Sequence, residues 1–167
     1  MTPRLLTVLT VLAVLLTVVY IFSSRPTPPA ASPRWVEVDP KKLLEIRIQD
    51  GVDTPVVLSR TGDDWFRHGD TGVVRADTSA IGEMIGLLTG MISVDPVTDS
   101  PGKYSQFEVD TPQALAITLV NGGVQRVYIG KASEDGQFVF GRRESEPTVR
   151  AIRGFDRWRL ERLIAGY

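Results

Sequence analysis

Residues Leu5 to Phe22 run for 18 positions without a charge, a Gly or a Pro, and no other stretch of the chain so restricts how it can fold. As a helix rising about 1.5 Å per residue the run would reach roughly 27 Å, close to the ~30 Å hydrocarbon thickness of a bilayer. Thr7, Thr10 and Thr17 are compatible with that setting, because a helical Thr hydroxyl can bond a carbonyl one turn back instead of water. Tyr20 and Phe22 suit the headgroup level at its far end. Residues 1–22 are therefore expected to form a single transmembrane anchor, with Leu5, Leu12, Leu16, Tyr20 and Phe22 as its anchoring residues.

The competing reading is a cleaved secretory signal with Arg4 as its basic start. Such a signal has an apolar core of only about 7–15 residues and a small-residue cleavage site. Here the small residues Ala30 and Ser32 lie among prolines. The chain has no Cys, so a lipid-modified amino-terminal cysteine is not expected. Arg25, Arg34, Lys41 and Lys42 follow the run and argue against exporting what comes after it, but long domains translocate largely regardless of local charge. The expected placement is the inner (cytoplasmic) membrane, single-pass, with a cytoplasmic amino terminus and a periplasmic or otherwise extracytoplasmic carboxyl-terminal domain.

Residues 23–34 read as a linker. Pro26, Pro28, Pro29 and Pro33 stand among small polar residues, a composition that favours extended polyproline II. At ~3.1 Å per residue, the 11 residues from Ser23 to Pro33 would span up to about 34 Å. Residues 35–167 then have the length of one ordinary domain that needs no disulfides. This part carries 16 Lys/Arg against 20 Asp/Glu, without the basic face of a nucleic-acid binder. The one local excess of positive charge is near the carboxyl end, at Arg142, Arg143, Arg150, Arg153, Arg157, Arg159 and Arg162. A solvated edge accounts for it, and so does contact with anionic headgroups or an acidic partner.

Leu44 to Ile48 alternates apolar and polar and stops at Asp50-Gly51, the pattern of a half-buried strand. Pro55 to Arg60 reads as its partner, and Gly62-Asp63 turns the chain into a third strand, Asp64 to His68. Asp77 then caps a helix whose Ile81, Met84, Ile85 and Leu88 form one apolar stripe. Gly82, Gly86 and Gly90 recur every fourth residue on it, a row that permits close backbone approach; it reads as packing against the domain's own sheet or tolerated composition, with a helix-docking groove for a partner as the alternative. Asp95 to Pro101 reads as a loop, and Lys103 to Phe107 as a short turn. Ala114 to Val120, the hairpin signal Asn121-Gly122, Val124 to Ile129, Gln137 to Gly141 and Thr148 to Ile152 predict a four-stranded antiparallel meander. A closing helix is expected over Phe155 to Ala165, with Trp158, Leu160, Leu163 and Ile164 on its apolar side and Gly166 as its stop. The order strands, helix, strands, helix predicts an α+β domain of antiparallel strands with two packed helices behind the transmembrane helix. Each half echoes the other in this order, though not residue by residue.

Catalytic chemistry is hard to find. His68 is the only histidine, there is no Cys and no G-x-S-x-G, so neither a nucleophile with a placed base nor a zinc site is expected. Asp50 with Asp53, Asp63 with Asp64 and Asp70, and Glu134 with Asp135 lie beside Gly but lack the ligand order of a calcium loop, and turn chemistry accounts for them. Gly130-Lys131 lacks the rest of a phosphate loop and reads as a strand end. No cofactor, metal or catalytic residue is assigned, and the chain is expected not to be an enzyme.

Several segments together carry a family resemblance: Phe107-Glu108-Val109-Asp110-Thr111-Pro112, Ile117-Thr118-Leu119, Asn121-Gly122-Gly123, Val127-Tyr128-Ile129-Gly130-Lys131, Phe138-Val139 and Val149-Arg150-Ala151-Ile152. With the helix from Ala76 to Leu88 and the loop from Val94 to Tyr104, they resemble bacterial proteins carrying domain of unknown function 4340 (DUF4340). Longer members carry two such modules, and the chain resembles a single-module, membrane-anchored member. The resemblance implies an anchored extracytoplasmic domain, in some members associated with ABC-type transport or gliding-motility components, and no catalytic residue. The expected function is a non-enzymatic accessory subunit of a larger membrane protein complex, transport-related through that resemblance. Its contact surface is expected at Arg153, Arg157, Trp158 and Arg159, with the bilayer as a further partner and nucleic acid excluded. The alternative is a tethered binding module for envelope glycan, peptide or lipid, which requires Trp35, Trp65, Tyr104 or Trp158 exposed on one concave face.

Overall fold

The computed structural model describes residues 34–69 and 72–165. The expected anchor, with Leu5, Leu12, Leu16, Tyr20 and Phe22, and the Ser23 to Pro33 spacer lie outside the described residues, as does Gly166. Among the described residues no helix is long and apolar enough to cross a membrane.

Among the described residues nine antiparallel strands form one sheet: β1 (Glu45–Asp50), β2 (Val56–Thr61), β3 (Asp64–Gly69), β4 (Gly72–Arg75), β5 (Ile92–Thr98), β6 (Leu115–Val120), β7 (Val124–Ala132), β8 (Val139–Arg143) and β9 (Val149–Arg153). Among the described residues three short helices accompany them: α1 (Thr78–Thr89), α2 (Tyr104–Phe107, continuing a 3₁₀ turn at Pro101–Lys103) and α3 (Arg157–Ala165). The domain is therefore α+β, as the order of elements predicts. The spatial order is β4-β3-β2-β1-β6-β7-β8-β9-β5. Two meanders thus run outward from a central β1–β6 pair, and each is followed by a helix, α1 or α3. The faint echo between the two halves of the sequence is this topology.

Period-two alternation decides which side chains meet. Ile46 and Ile48 of β1 oppose Leu119 and Ile117 of β6, which in turn lie beside Gln125 and Val127 of β7. On this first face Ile46, Ile48, Leu58, Leu115, Ile117, Leu119, Val127 and Ile129 are all buried. Over them lie Ile81, Met84 and Leu88 of α1 and Leu160 of α3. Asp77 caps α1 as expected, its Oδ1 accepting from Ser79 N at 2.8 Å.

Trp35 closes the same core at 1% exposure. Its backbone N–H donates to Met91 O at 2.9 Å, and Arg143 Nη2 donates to its carbonyl at 2.6 Å. The indole rests on Gly141, where an added Cβ would stand 2.7 Å from Cη2. Removing an indole of this size from a core costs about 3–5 kcal/mol.

The second face is covered over only part of its width. Val109, Ala114, Ala116, Tyr128 and Val149 cluster there with Tyr104, Phe107 and Phe140, beneath the turn that holds α2. That turn ends at Glu108, the one described non-glycine residue with positive φ (57°), which closes α2 as a left-handed cap. It can lie this close only because position 130 has no side chain. A Cβ at Gly130 would overlap the Phe107 carbonyl oxygen and stand 2.9 Å from Val109 Cγ1.

Four sequence expectations are corrected. β4 is a fourth strand before α1, and its pairing comes entirely from β3. The stretch read as a loop from Asp95 contains most of β5, which accommodates Pro96 at a shift in its register with β9. An edge strand tolerates a proline because its outward N–H has no ladder partner to lose. The glycine row provides no close approach at Gly82 or Gly86, where a Cβ would meet nothing within 4 Å. Trp158 is 77% exposed rather than on the apolar side of α3. It lies two residues from buried Leu160, about 200° around the helix at ~100° per residue.

The glycines separate tolerated composition from steric necessity. Gly82→Ala is expected to stabilise the domain by about 0.5–1 kcal/mol, the usual helix-interior gain. Gly130→Ala is expected to destabilise it by about 1–3 kcal/mol or more through overpacking against backbone. Urea unfolding of the two variants checks both signs.

Candidate functional site

On the second face, β1 to β4 carry Glu45, Arg47 and Gln49, then Val57 and Ser59, Phe66 and His68, and Val73 and Arg75. No described helix covers them. The uncovered area meets the α2-covered area along β6 and β7, and the strand register places a row of polar side chains there. Arg47 is opposite Thr118, and Thr118 is opposite Arg126. Glu144 follows, its backbone N–H donating to Arg126 O at 2.9 Å. With strands ~4.8 Å apart, the Cα atoms of Arg47 and Arg126 are about 10 Å apart across the threonine. The small residues Ala116 and Thr118 leave a depression between these long walls. It becomes a groove of about 350 Å³ lined by Arg47, Gln49, Pro55, Ala116, Thr118, Val124, Arg126 and Glu144.

Stacking fixes one wall of the groove. Arg142 lies 4.5 Å from the ring centres of both Tyr104 and Tyr128, and Arg126 lies 5.3 Å from that of Tyr128. Such contacts contribute about 0.5–1 kcal/mol each where partly exposed. Tyr104 donates to Pro147 O at 2.8 Å. Tyr128 donates to Glu144 Oε1 at 3.0 Å, while Arg126 Nη1 stands 3.8 Å from the same oxygen. The carboxylate therefore serves the phenol first, and Arg126 keeps hydrogen-bonding capacity. Burial and the bond to Glu144 push the Tyr128 phenol above its ordinary value, partly countered by Arg126 and Arg142.

Other sequence-singled residues are scattered. His68 is exposed, and its Nε2 lies 2.6 Å from Ser59 Oγ, a neighbour that only the β2–β3 pairing supplies. The acidic turn residues are largely engaged. Asp50 accepts from Arg157 at 2.8 Å, Asp63 from Arg60 at 3.4 Å, and Asp64 pairs with Arg75. The Ser133 hydroxyl and the Gln137 N–H hold the exposed Asp135 carboxyl below its usual range. Among the described residues no group of three or more His, Cys, Asp or Glu side chains could hold a metal ion. On α3, Arg157 also bonds Glu161 at 2.7 Å and Arg159 bonds Glu83 of α1 at 3.1 Å. These two arginines lock the helix down, whereas Trp158 points out and Arg153 stays exposed at the end of β9. Trp35 and Trp65 are buried.

The fold and this open-faced groove define a class: a single-sheet α+β domain with a polar groove on the less covered face of the sheet. The family profile described as domain of unknown function (DUF4340) matches residues 65–162. The chain belongs to that family. No curated protein and no solved structure matches it.

The raised phenol makes stability depend on alkaline pH. Below the ordinary tyrosine value of about 10, Tyr128 is neutral in both states and its contribution is complete. As pH rises past that value the unfolded chain loses the proton first, so stability falls until the folded-state phenol also ionises. Tyr128→Phe is expected to flatten this alkaline decline in urea midpoints measured from pH 8 to 11.5, values on either side of the usual tyrosine titration.

Proposed function

We propose that this chain is a non-enzymatic, membrane-anchored accessory subunit of a larger membrane protein complex, held in the inner membrane by its Leu5 to Phe22 run. Its domain stands on the extracytoplasmic side, tethered by the proline-rich linker. The observation that carries the reading is Trp158. It is 77% exposed on a helix whose neighbouring arginines are already tied to Asp50, Glu161 and Glu83. Exposing an indole on an otherwise pinned helix leaves a large apolar surface in water, and tryptophan is the residue most enriched among interface anchors. Arg153, exposed at the end of the preceding strand, adds a positive charge that an acidic patch on the partner would match. ABC-type transport components are the partner class that the family resemblance favours.

The lone His68, paired only with a serine hydroxyl, supports a non-catalytic reading. The alternative of a glycan-binding platform is less well supported, because Trp35 and Trp65 are in the core, Tyr104 is stacked on Arg142, and Trp158 projects from the helix layer.

The full chain, purified in mild detergent from its native membrane, is expected to bring down a stoichiometric membrane partner identifiable by mass spectrometry. Trp158→Ala, folded as judged by circular dichroism, is expected to lower that recovery about tenfold or more, as for loss of an interface anchor. Recovery of free monomer alone, while other membrane complexes survive the extraction, would sink the proposal.

A further inference from the structure

The groove on the open face of the sheet has no role in the accessory-subunit reading, and it is built as a receptor. We propose that it binds a small monocarboxylate, with the carboxylate held between Arg47 and Arg126 over the Thr118 hydroxyl and the apolar body against Ala116, Val124 and Pro55. The inference is independent of the anchor and of any protein partner.

Three features carry it. First, the three polar groups are in one cross-strand row, Arg47 opposite Thr118 and Thr118 opposite Arg126. Two guanidinium groups can therefore close on one anion from opposite sides, with a hydroxyl donor between them. Guanidinium forks match the geometry of a carboxylate, and charge-assisted bonds of this kind are about twice as strong as neutral ones. Second, the Arg126 side chain is held by stacking on Tyr128, and its carboxylate neighbour is 3.8 Å away with the shared oxygen already accepting from the phenol. A guanidinium that is ordered yet not satisfied is preorganised for an incoming anion. Third, the groove holds about 350 Å³, enough for a small organic acid, with Ala116, Val124 and Pro55 beside the polar row.

Charge selects the valence of the ligand. Glu45 already pairs with Arg47, and Glu144 is on the rim beside Arg126. With two carboxylates beside two guanidinium groups the site has little excess positive charge, so its donors can hold a monoanion but do not offset the larger desolvation cost of a dianion.

The test titrates the full, isotopically labelled chain in detergent micelles with propionate and, separately, with inorganic phosphate, followed by the backbone amides of Thr118 and Arg126. Expected are saturable shifts with propionate on the order of 1 mM, the range for so small a ligand, and weaker binding of phosphate. Arg47→Gln is expected to weaken propionate about tenfold, the equivalent of one charge-assisted bond. Thr118→Val, which keeps the side-chain shape, is expected to weaken it severalfold. Neither variant removes the Arg126–Tyr128 stack, so both should stay folded. Shifts that rise linearly without saturating, phosphate binding tighter than propionate, or unchanged propionate affinity in Arg47→Gln would each overturn the proposal.

Discussion

The antiparallel pairing of β1 with β6 is the contact on which this domain depends. All six residues of Glu45–Asp50 are in register with Leu115–Val120, across about 65 residues of intervening chain. Each strand also starts a meander, so the pair joins two halves that otherwise share little beyond the helix layer. Pairs so distant in sequence carry a large loop-closure cost, which grows only slowly with length and is repaid by apolar burial. Ile46, Ile48, Ile117 and Leu119 supply that burial at 0–3% exposure. On the other face the same register sets Arg47 beside Thr118, so one pairing builds both the core and the groove.

The helix layer follows from this arrangement. α1 carries the chain from one edge strand of the sheet, β4, to the other, β5, and α3, which follows β9, reaches Asp50 through Arg157. Arg157 is partly buried, whereas Asp50 and Glu161 remain open to water, so the two ion pairs fix where α3 lies and each contributes at most about 1 kcal/mol. The carboxyl-terminal arginines thus divide by function. Arg143 and Arg157 hold structure, Arg142 packs between tyrosines, and Arg153 remains outside.

Much of the second half was legible in the chain. The Asn121-Gly122 signal, with Gly122 at φ 71°, identifies the hairpin, and its register alone implies that Thr118 faces Arg126. The apolar spacing of Ile81, Met84 and Leu88 likewise places α1 on the core. Arg47 could not be added to that row, because no local signal links β1 to β6. β4 was hidden for a related reason: its Gly72, Val73, Val74 and Arg75 are exposed throughout, so they show no burial pattern to read.

What the sequence determined by itself is local: alternation, capping by Asp77, hairpin turns, and the composition of the apolar run and the proline-rich stretch after it. These depend on neighbours within a turn or two, where backbone stereochemistry and periodicity act directly. Tertiary structure decided the rest. It made Gly130 and Gly141 indispensable while Gly82 and Gly86 face open space, sent Trp158 outward, buried Trp35 and assembled Arg47, Thr118 and Arg126 into one row. Each of these outcomes depends on which distant backbone or side chain arrives at van der Waals distance, and that is settled by long-range strand pairing rather than by any stretch of chain alone.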